Sequence, residues 1–190
     1  MLLREEGIMA TVLLMSGSPR TGGNTDDCVA YLEKRFANAG HRAQVVRVCD
    51  LKIEPCRGCR ACMKLGHCAI TGDDFEPTWN LVKTAELAVV AAPIYWYGPP
   101  GPMKNFIDRT HGYYATPPML AGLKAAVLSI AGDEGCWEPH ETIMTSWLKV
   151  YGAKVLPPAR IIAREKGDAT ASPIAKKRLD ECAETLLAAL

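Results

Sequence analysis

The stretch ATVLLMSGSPRTGGNT, residues 10–25, decides the fold of this chain. Its first part, Ala10–Met15, is a short apolar run that is typical of a buried β-strand. The residues from Ser16 to Thr25 are rich in glycine and hydroxyl side chains, which favour a tight turn. Apolar residues then recur at helical spacing before Gly40: Cys28, Val29, Leu32, Phe36 and Ala39. The stretch therefore predicts a strand, a turn and a helix, which is the opening unit of an α/β fold.

The alternation of strand and helix continues to the end of the chain. Four more strand-like runs follow, at Arg42–Val48, Glu86–Ala92, Leu123–Ile130 and Ala153–Ala163. The last run is broken by Pro157-Pro158, so it predicts an edge strand or a bulge. Helical patterns cover about residues 75–82, 102–109, 139–151 and 173–190. Strand–helix alternation repeated five times predicts a doubly wound parallel sheet with helices on both faces.

Size and charge narrow the possible functions. The chain has 190 residues, with 22 Lys and Arg against 21 Asp and Glu. This length suits one domain, which we expect to span residues 9–190 after an N-terminal extension, residues 1–8. A near-neutral charge gives no support for nucleic-acid binding. Prolines interrupt the longest uncharged run, Leu87–Met103, so we expect no membrane-spanning helix. The first residues do not resemble a secretory signal, so we expect a reducing, cytoplasmic location.

The loop after the first strand predicts a phosphate site. In doubly wound sheets the ligand lies beyond the carboxyl ends of the strands, and a helix N-terminus offers free N–H groups to an anion. The spacing of Gly17 and Gly22 resembles a nucleoside-triphosphate loop, but Gly23 stands where that loop has a lysine. We therefore expect one phosphate monoester; the alternative is a plain βα turn. The expected contacts are Ser18, Arg20, Asn24 and Thr25.

Two further loops at the same edge predict a place for a flat ring. The loop after the third strand begins with Pro93, Ile94, Tyr95, Trp96, Tyr97 and Gly98. Its three adjacent aromatic side chains can stack on a planar ligand, although ordinary packing is the alternative for each of them. The loop after the fourth strand is small and acidic and could line the same site. It contains Gly132, Asp133, Glu134 and Gly135.

These motifs resemble those of the flavodoxin-like FMN-dependent NAD(P)H oxidoreductases. The resemblance rests on residues 17–25, on Asp73-Asp74, and on Pro93-x-Tyr95-Trp96 leading to Lys104-x-Phe106-x-Asp108-Arg109. It implies a five-stranded parallel sheet in the order 2-1-3-4-5, FMN at the strand ends and NAD(P)H as reductant. The four predicted phosphate contacts would hold the FMN phosphate, and residues 93–98 and 132–135 would line the isoalloxazine ring. The resemblance also implies a homodimer or homotetramer.

Half of the eight cysteines fall in one short segment. They form a C-x2-C-x2-C-x5-C motif: Cys56, Cys59, Cys62 and Cys68. Three thiolates at this spacing can wrap one face of a small cluster, and the fourth can close it. The pattern is similar to that of the iron–sulfur flavoproteins, a branch of the same family, which implies a [4Fe–4S] cluster that passes electrons to FMN. Zinc, a redox-active dithiol and metal-free thiols remain alternatives. The histidines, His140 among them, are expected to be solvated.

Three functions are compatible with these patterns. The first is an FMN-dependent NAD(P)H oxidoreductase that reduces a quinone, a flavin or a similar small acceptor. FMN itself carries out the hydride chemistry, so the sequence assigns no catalytic side chain. The second is an iron–sulfur flavoprotein that carries electrons between a ferredoxin-like donor and FMN. The third is a non-catalytic thiol- or zinc-binding module on the same scaffold.

Overall fold

A computed structural model describes residues 10–113 and 118–190, and the expected extension, residues 1–8, lies outside this part of the chain. The strands are β1 (Thr11–Ser16), β2 (Arg42–Arg47), β3 (Leu87–Pro93), β4 (Lys124–Ala131), β5 (Lys154–Val155) and β6 (Ala159–Ile162). The helices are α1 (Asn24–Asn38), α2 (Cys62–Leu65), α3 (Phe75–Thr84), α4 (Gly101–Arg109), α5 (His140–Val150), α6 (Asp168–Ala171) and α7 (Pro173–Ala189). Two short 3-10 helices cover Val48–Asp50 and Thr110–Tyr113.

The strands form one parallel sheet in the order β2-β1-β3-β4-β5, which confirms the predicted order 2-1-3-4-5. β1 is central and pairs in parallel with both β2 and β3. The predicted fifth strand is split into two short pieces, β5 and β6, which both pair with β4. Pro157-Pro158 lies between these pieces. Proline cannot donate a ladder hydrogen bond, so the strand breaks where the sequence predicts.

The sheet is covered on both faces because its central strands are apolar along their whole length. In β1, Val12 and Leu14 point to one face, and Leu13 and Met15 point to the other, as the period of two requires. Helices α1, α6 and α7 pack on the first face. Helices α3, α4 and α5 pack on the second face. Two apolar layers therefore fix the sheet, and its carboxyl edge is left to the loops.

Two further observations concern the helices. The last long helix, α7, begins at residue 173, where the helical pattern predicts. Pro173 lies in its first turn, and the Ser172 hydroxyl caps it by accepting a hydrogen bond from the N–H of Ala175. In the described part of the chain, no helix combines the length and the apolar character that crossing a lipid bilayer requires.

Candidate functional site

A cleft of about 360 Å³ opens at the carboxyl edge of the sheet. This volume lies within the range of small-molecule sites. The loops that follow β1, β3, β4 and β6 form its walls, which are the places where a doubly wound sheet binds its ligand. The residues lining it are Ser18, Arg20, Thr21, Gly22, Gly23, Asn24, Thr25, Pro93, Ile94, Tyr95, Ile130, Ala131, Gly132, Ala163, Arg164 and Lys166.

The loop between β1 and α1 is held in shape by Asp26. Its carboxylate accepts hydrogen bonds from the Ser16 hydroxyl at 2.7 Å and from the N–H of Gly22 at 2.8 Å, and it forms an ion pair with Arg47. Gly22 has a φ of +62°, a conformation that L side chains rarely adopt. No side chain caps the start of α1, so the N–H groups of its first turn are left for an anion.

The lining of the cleft is positively charged, whereas the whole chain is nearly neutral. Among the residues that the structure describes, its lining holds three cations and no carboxylate. The cations are Arg20, Arg164 and Lys166. Since a phosphate monoester is an anion with strong acceptor oxygens, this lining and the uncapped helix start favour the same kind of ligand.

Asn24 has a role that the motif did not predict. Its side-chain amide donates to the carbonyl oxygens of Ala163 and Glu165, at 3.2 and 2.8 Å. Its side-chain oxygen accepts from the N–H groups of Gly167 and Ala169, at 2.9 and 3.3 Å. Both donors and both lone pairs of the amide are therefore in use. The side chain of Asn24 ties the loop after β6 to the start of α1, and its backbone N–H is the group that remains for a phosphate.

The other predicted phosphate contacts lie in the cleft. Ser18 and Thr25 are buried, and Arg20 is exposed at the rim. The Ser18 hydroxyl contacts the backbone of Arg20, donating to its carbonyl at 3.3 Å and accepting from its N–H at 3.2 Å. The structure thus brings the predicted residues together on one wall. It adds Thr21 and Gly22 from the same loop.

The predicted ring-binding residues divide into two groups. Pro93, Ile94, Tyr95 and Gly132 line the cleft. Trp96 and Tyr97, followed by Gly98, form a turn that does not line it. Asp133, Glu134 and Gly135 also lie outside the lining. The two carboxylates among them are paired, Asp133 with Arg164 and Glu134 with Arg178, so they neutralise cations near the cleft instead of facing its interior.

The turn after Tyr95 holds two aromatic residues in an unfavourable backbone conformation. Backbone hydrogen bonds join Tyr95 and Gly98 in both directions, at 2.8 and 3.0 Å. Trp96 and Tyr97 between them have φ values of +49° and +61°. Two consecutive positive φ angles are typical of the tight hairpin turn that normally uses Asn-Gly. Trp96 is 97% exposed, so burial does not compensate for this conformation within the described chain.

All four clustered cysteines line a second pocket of about 160 Å³. The four are free thiols, of which Cys56 and Cys59 are exposed and Cys62 and Cys68 are half-buried. Within the described residues no three metal-binding side chains converge on one ion. Four thiolates are the donor set both of a [4Fe–4S] cluster, in which each thiolate binds a different iron, and of a structural zinc ion.

The C-terminal end of α4 organises the cysteine segment through one buried guanidinium, that of Arg109. Its NH1 and NH2 groups bind the carboxylate of Asp73 at 2.5 and 3.3 Å. The remaining donors reach the carbonyls of Glu54 and Ile70, at 2.8 and 2.9 Å, and Nε lies 3.1 Å from the sulfur of Cys68. All five N–H groups are therefore used. Arg109 joins both ends of the segment that carries the cysteines.

Cys62 is positioned by a close approach to Gly112. A Cβ at Gly112 would lie 2.5 Å from the sulfur of Cys62 and closer still to its Cβ. Real Cβ atoms essentially never come so near to another heavy atom, so only glycine fits at this position. The short 3-10 helix that contains Gly112 therefore forms one wall of the cysteine pocket.

The expectation that His140 is solvated is wrong. His140 is completely buried at the start of α5. It lies four, seven and eight residues before Met144, Trp147 and Leu148, which are also buried, and this is the spacing of one helix face. Burial lowers the pKa of His140, which favours the neutral ring. Extending the apolar stripe of α5 back by one turn would have revealed its position.

Sequence reasoning missed the wall of the cleft that follows β6. Ala163, Arg164 and Lys166 belong to it, and no motif in the sequence singles them out. The available signal was topological. Because all strands of the sheet are parallel, the end of the fifth strand must also reach the carboxyl edge, where it can contact the ligand.

Comparison with known proteins identifies the family. Residues 10–167 match the model of the family described as NADPH-dependent FMN reductase. An iron-sulfur flavoprotein of Archaeoglobus fulgidus is 30% identical over 138 residues, which are 72% of this chain and 61% of that protein. An iron-sulfur flavoprotein of Methanosarcina thermophila is 27% identical over 143 residues, 75% of this chain and 74% of that protein.

The fold is shared with solved structures of low sequence identity. The NAD(P)H:quinone oxidoreductase from Methanothermobacter marburgensis aligns with a TM-score of 0.72 at 17% identity, covering 94% of this chain and 96% of that one. The family match covers most of the chain, and the sheet order is the one that the flavodoxin-like resemblance implied. The chain therefore belongs to the family of NADPH-dependent FMN reductases.

Proposed function

We propose that this protein is an FMN-dependent NAD(P)H oxidoreductase that reduces a quinone, a flavin or a similar small acceptor. The observation that carries the proposal is the cleft at the carboxyl edge of the sheet, whose lining includes Arg20 and Lys166, both without an ion pair in the described chain, and the uncapped start of α1. FMN has a phosphate at one end and a flat ring at the other, and this cleft suits both parts.

The wall after β1 would hold the phosphate. Thr25 offers a hydroxyl group, Arg20 offers a guanidinium, and Asn24 offers its backbone N–H. The Ser18 hydroxyl would contact the phosphate by exchanging its 3.3 Å bond to the Arg20 carbonyl for one to a phosphate oxygen. Charge-assisted hydrogen bonds of this kind are stronger than neutral ones. Asp26 keeps the loop in shape from behind, and its charge is offset by Arg47, so it opposes the anion only weakly.

The ring would lie between the loops after β3 and β4. Pro93, Ile94 and Tyr95 form one wall, and Gly132 forms part of the other. These side chains orient the ring and exclude water from its apolar part. When bound, FMN supplies the hydride chemistry between the nicotinamide and the acceptor, so the protein needs no acid or base side chain.

We also propose that the cysteine pocket holds a [4Fe–4S] cluster with Cys56, Cys59, Cys62 and Cys68 as ligands. All four thiols line this one pocket. The names of the matched relatives from A. fulgidus and M. thermophila support the same assignment. The nearby side chains of Arg57, Arg60 and Lys64 would offset the negative charge of a thiolate-bound cluster.

The rim of this pocket suggests a partner. Arg57 and Arg60 line the pocket and are exposed, and Lys64 is exposed two residues after Cys62. A cationic rim steers an acidic partner toward it, so a ferredoxin-like electron donor is the partner that we propose. If the protein passes electrons from such a donor to FMN without using NAD(P)H, it is an electron carrier, which is the second candidate function.

We also propose that the protein is a homodimer or homotetramer, as the family resemblance implies. Analytical ultracentrifugation, which measures the mass of the assembly, tests this.

One preparation tests these proposals. The protein is purified anaerobically, its visible spectrum and its iron and sulfide contents are measured, and NADPH and NADH oxidation is followed with a quinone acceptor. Flavin bands with acceptor-dependent oxidation support the oxidoreductase. Flavin bands without oxidation of either nucleotide contradict it, and reduction by a ferredoxin-like donor alone would then favour the carrier.

The cluster has its own control. Cys59→Ser should abolish bound iron, whereas Cys136→Ser, which changes a half-buried cysteine outside the motif, should leave it unchanged. Iron-free anaerobic protein would contradict the cluster proposal. Retained FMN-dependent turnover in an iron-free Cys59→Ser variant would assign the cysteine segment a structural role.

A further inference from the structure

The cleft has a wall that the predicted phosphate loop, residues 16–25, does not include: the segment after β6 from Ala163 to Asp168. We propose that Lys166 in this segment binds the FMN phosphate as a second cation beside Arg20, and that Asn24 acts as the positioning residue that holds Lys166 in place. This inference rests on the proposed binding of FMN in the cleft. It concerns how this chain completes the phosphate site.

The segment is fixed to the start of α1. The four hydrogen bonds of the Asn24 amide reach backbone groups of residues 163, 165, 167 and 169. The Asp168 carboxylate accepts from the N–H groups of Arg164 and Glu165, at 3.1 and 2.8 Å. The segment is therefore closed on itself and tied to the first residue of the phosphate-binding helix.

This attachment places the Lys166 ammonium beside the phosphate loop. A Cβ built at Gly22 would lie 3.7 Å from Nζ of Lys166, and Nζ is the only heavy atom that it would meet within 4 Å among the described residues. Gly22 and Lys166 both line the cleft. The ammonium thus faces the glycine that turns the loop toward the helix start.

The charge of Lys166 is not used elsewhere in the described chain. It takes part in no salt bridge there, whereas its neighbour Arg164 is paired with Asp133. A phosphate monoester carries between one and two negative charges at neutral pH. One arginine therefore leaves part of that charge unmatched, and Lys166 is placed to offset it.

The proposal predicts a selective loss of FMN affinity. Removing a solvent-accessible cation from a phosphate should weaken binding roughly tenfold, between the effects of an exposed and a buried charge pair. Riboflavin has the same ring without the phosphate, so its affinity should not change. The difference between the two ligands isolates the phosphate interaction from any general effect on the cleft.

The test is equilibrium binding of FMN and riboflavin to the apoprotein, measured by flavin fluorescence. Lys166→Gln is compared with the wild type and with Lys149→Gln, which changes an exposed lysine near the end of α5. We expect only Lys166→Gln to weaken FMN binding, and neither variant to alter riboflavin binding.

Each contrary result has a definite meaning. Unchanged FMN affinity in Lys166→Gln overturns this inference while the proposed function stands. Equal losses for FMN and riboflavin also overturn it, because the lysine would then support the cleft and not the phosphate. A wild-type protein that binds neither flavin overturns the proposed function itself.

Discussion

Replacing Arg109 with methionine tests whether one buried ion pair organises the cysteine segment. The side chain of Arg109 is fully buried, and that of its partner Asp73 is only 5% exposed. The guanidinium also holds the backbone of Glu54 and Ile70, which flank the cysteines. Arg109→Met keeps much of the apolar volume but removes every one of these hydrogen bonds.

The expected loss of stability is large. Removing one partner of a buried ion pair costs about 3–5 kcal/mol, because the other charge stays buried without compensation. The carboxylate of Asp73 would be in that position. Since whole domains are stable by only about 5–15 kcal/mol, Arg109→Met should lose a substantial fraction of the free energy of unfolding.

Urea unfolding followed by tryptophan fluorescence measures this free energy. The matched control is Arg35→Met, which removes an arginine whose partners Asp180 and Glu184 are 39% and 70% exposed. Exposed pairs contribute about 0–1 kcal/mol, so the control should change little. If Arg109→Met loses no more stability than the control, the proposed organising role of Arg109 is wrong.

The same pair predicts a pH dependence. Burial acts to raise the pKa of Asp73, but hydrogen bonds from Arg109 and from the N–H groups of Glu54 and Phe75 outweigh it, so the pKa lies below its ordinary value. A depressed pKa in the folded state contributes stability above the unfolded value of about 3.9, and this stability is lost as the pH falls through the folded value. The stability difference between wild type and Arg109→Met should therefore shrink in acid. A difference that is constant from neutral pH to pH 3 would contradict this account.

Three further substitutions test other parts of the structure. Gly112→Ala should lower the free energy of unfolding by about 1–3 kcal/mol and should lower the content of bound iron. Its control, Gly101→Ala, has open space around it and should not lower the stability. Equal unfolding midpoints for the two variants would contradict the close approach. In a double-mutant cycle of FMN affinity, Asn24→Ala should remove most of the effect of Lys166→Gln, and simple additivity would argue against positioning. Trp96→Gly should raise stability by about 1 kcal/mol because it relieves the positive φ, and a decrease would indicate that the indole is held by contacts.

The sheet could be predicted from the sequence because its central strands are buried on both faces. Strands of that kind are continuous apolar runs, such as Leu87–Ala92, and they stand out from amphipathic helices. The break at Pro157-Pro158 was also predictable, because it follows from the missing N–H of proline. Both features depend on residues close together in the chain.

The candidate site was predictable only where it is local. The four thiols share a pocket because they share a short segment. Arg109 and Lys166 could not be placed in this way. Arg109 is 41 residues from Cys68, and Asn24 is 141 residues from Glu165, so their roles appear only once the sheet has brought distant loops together. Asn24 was predicted to bind the phosphate because of its residue type, but all four hydrogen bonds of its side-chain amide are made to the backbone of the protein.

Helix α4 mechanically joins the cleft to the cysteine pocket. In its first turn, Met103 packs so closely on Gly17 that a Cβ there would lie 3.2 Å from the Cγ of Met103. In its last turn, Arg109 binds the sulfur of Cys68. From Gly101 to Arg109 the helix rises about 12 Å. The helix therefore contacts the phosphate loop at one end and the cysteine segment at the other. Because protein interiors are closely packed, these two contacts fix the separation between the loop and the cysteines. With FMN in the cleft and a cluster at the thiols, as proposed above, this spacing would keep the two groups at a constant separation.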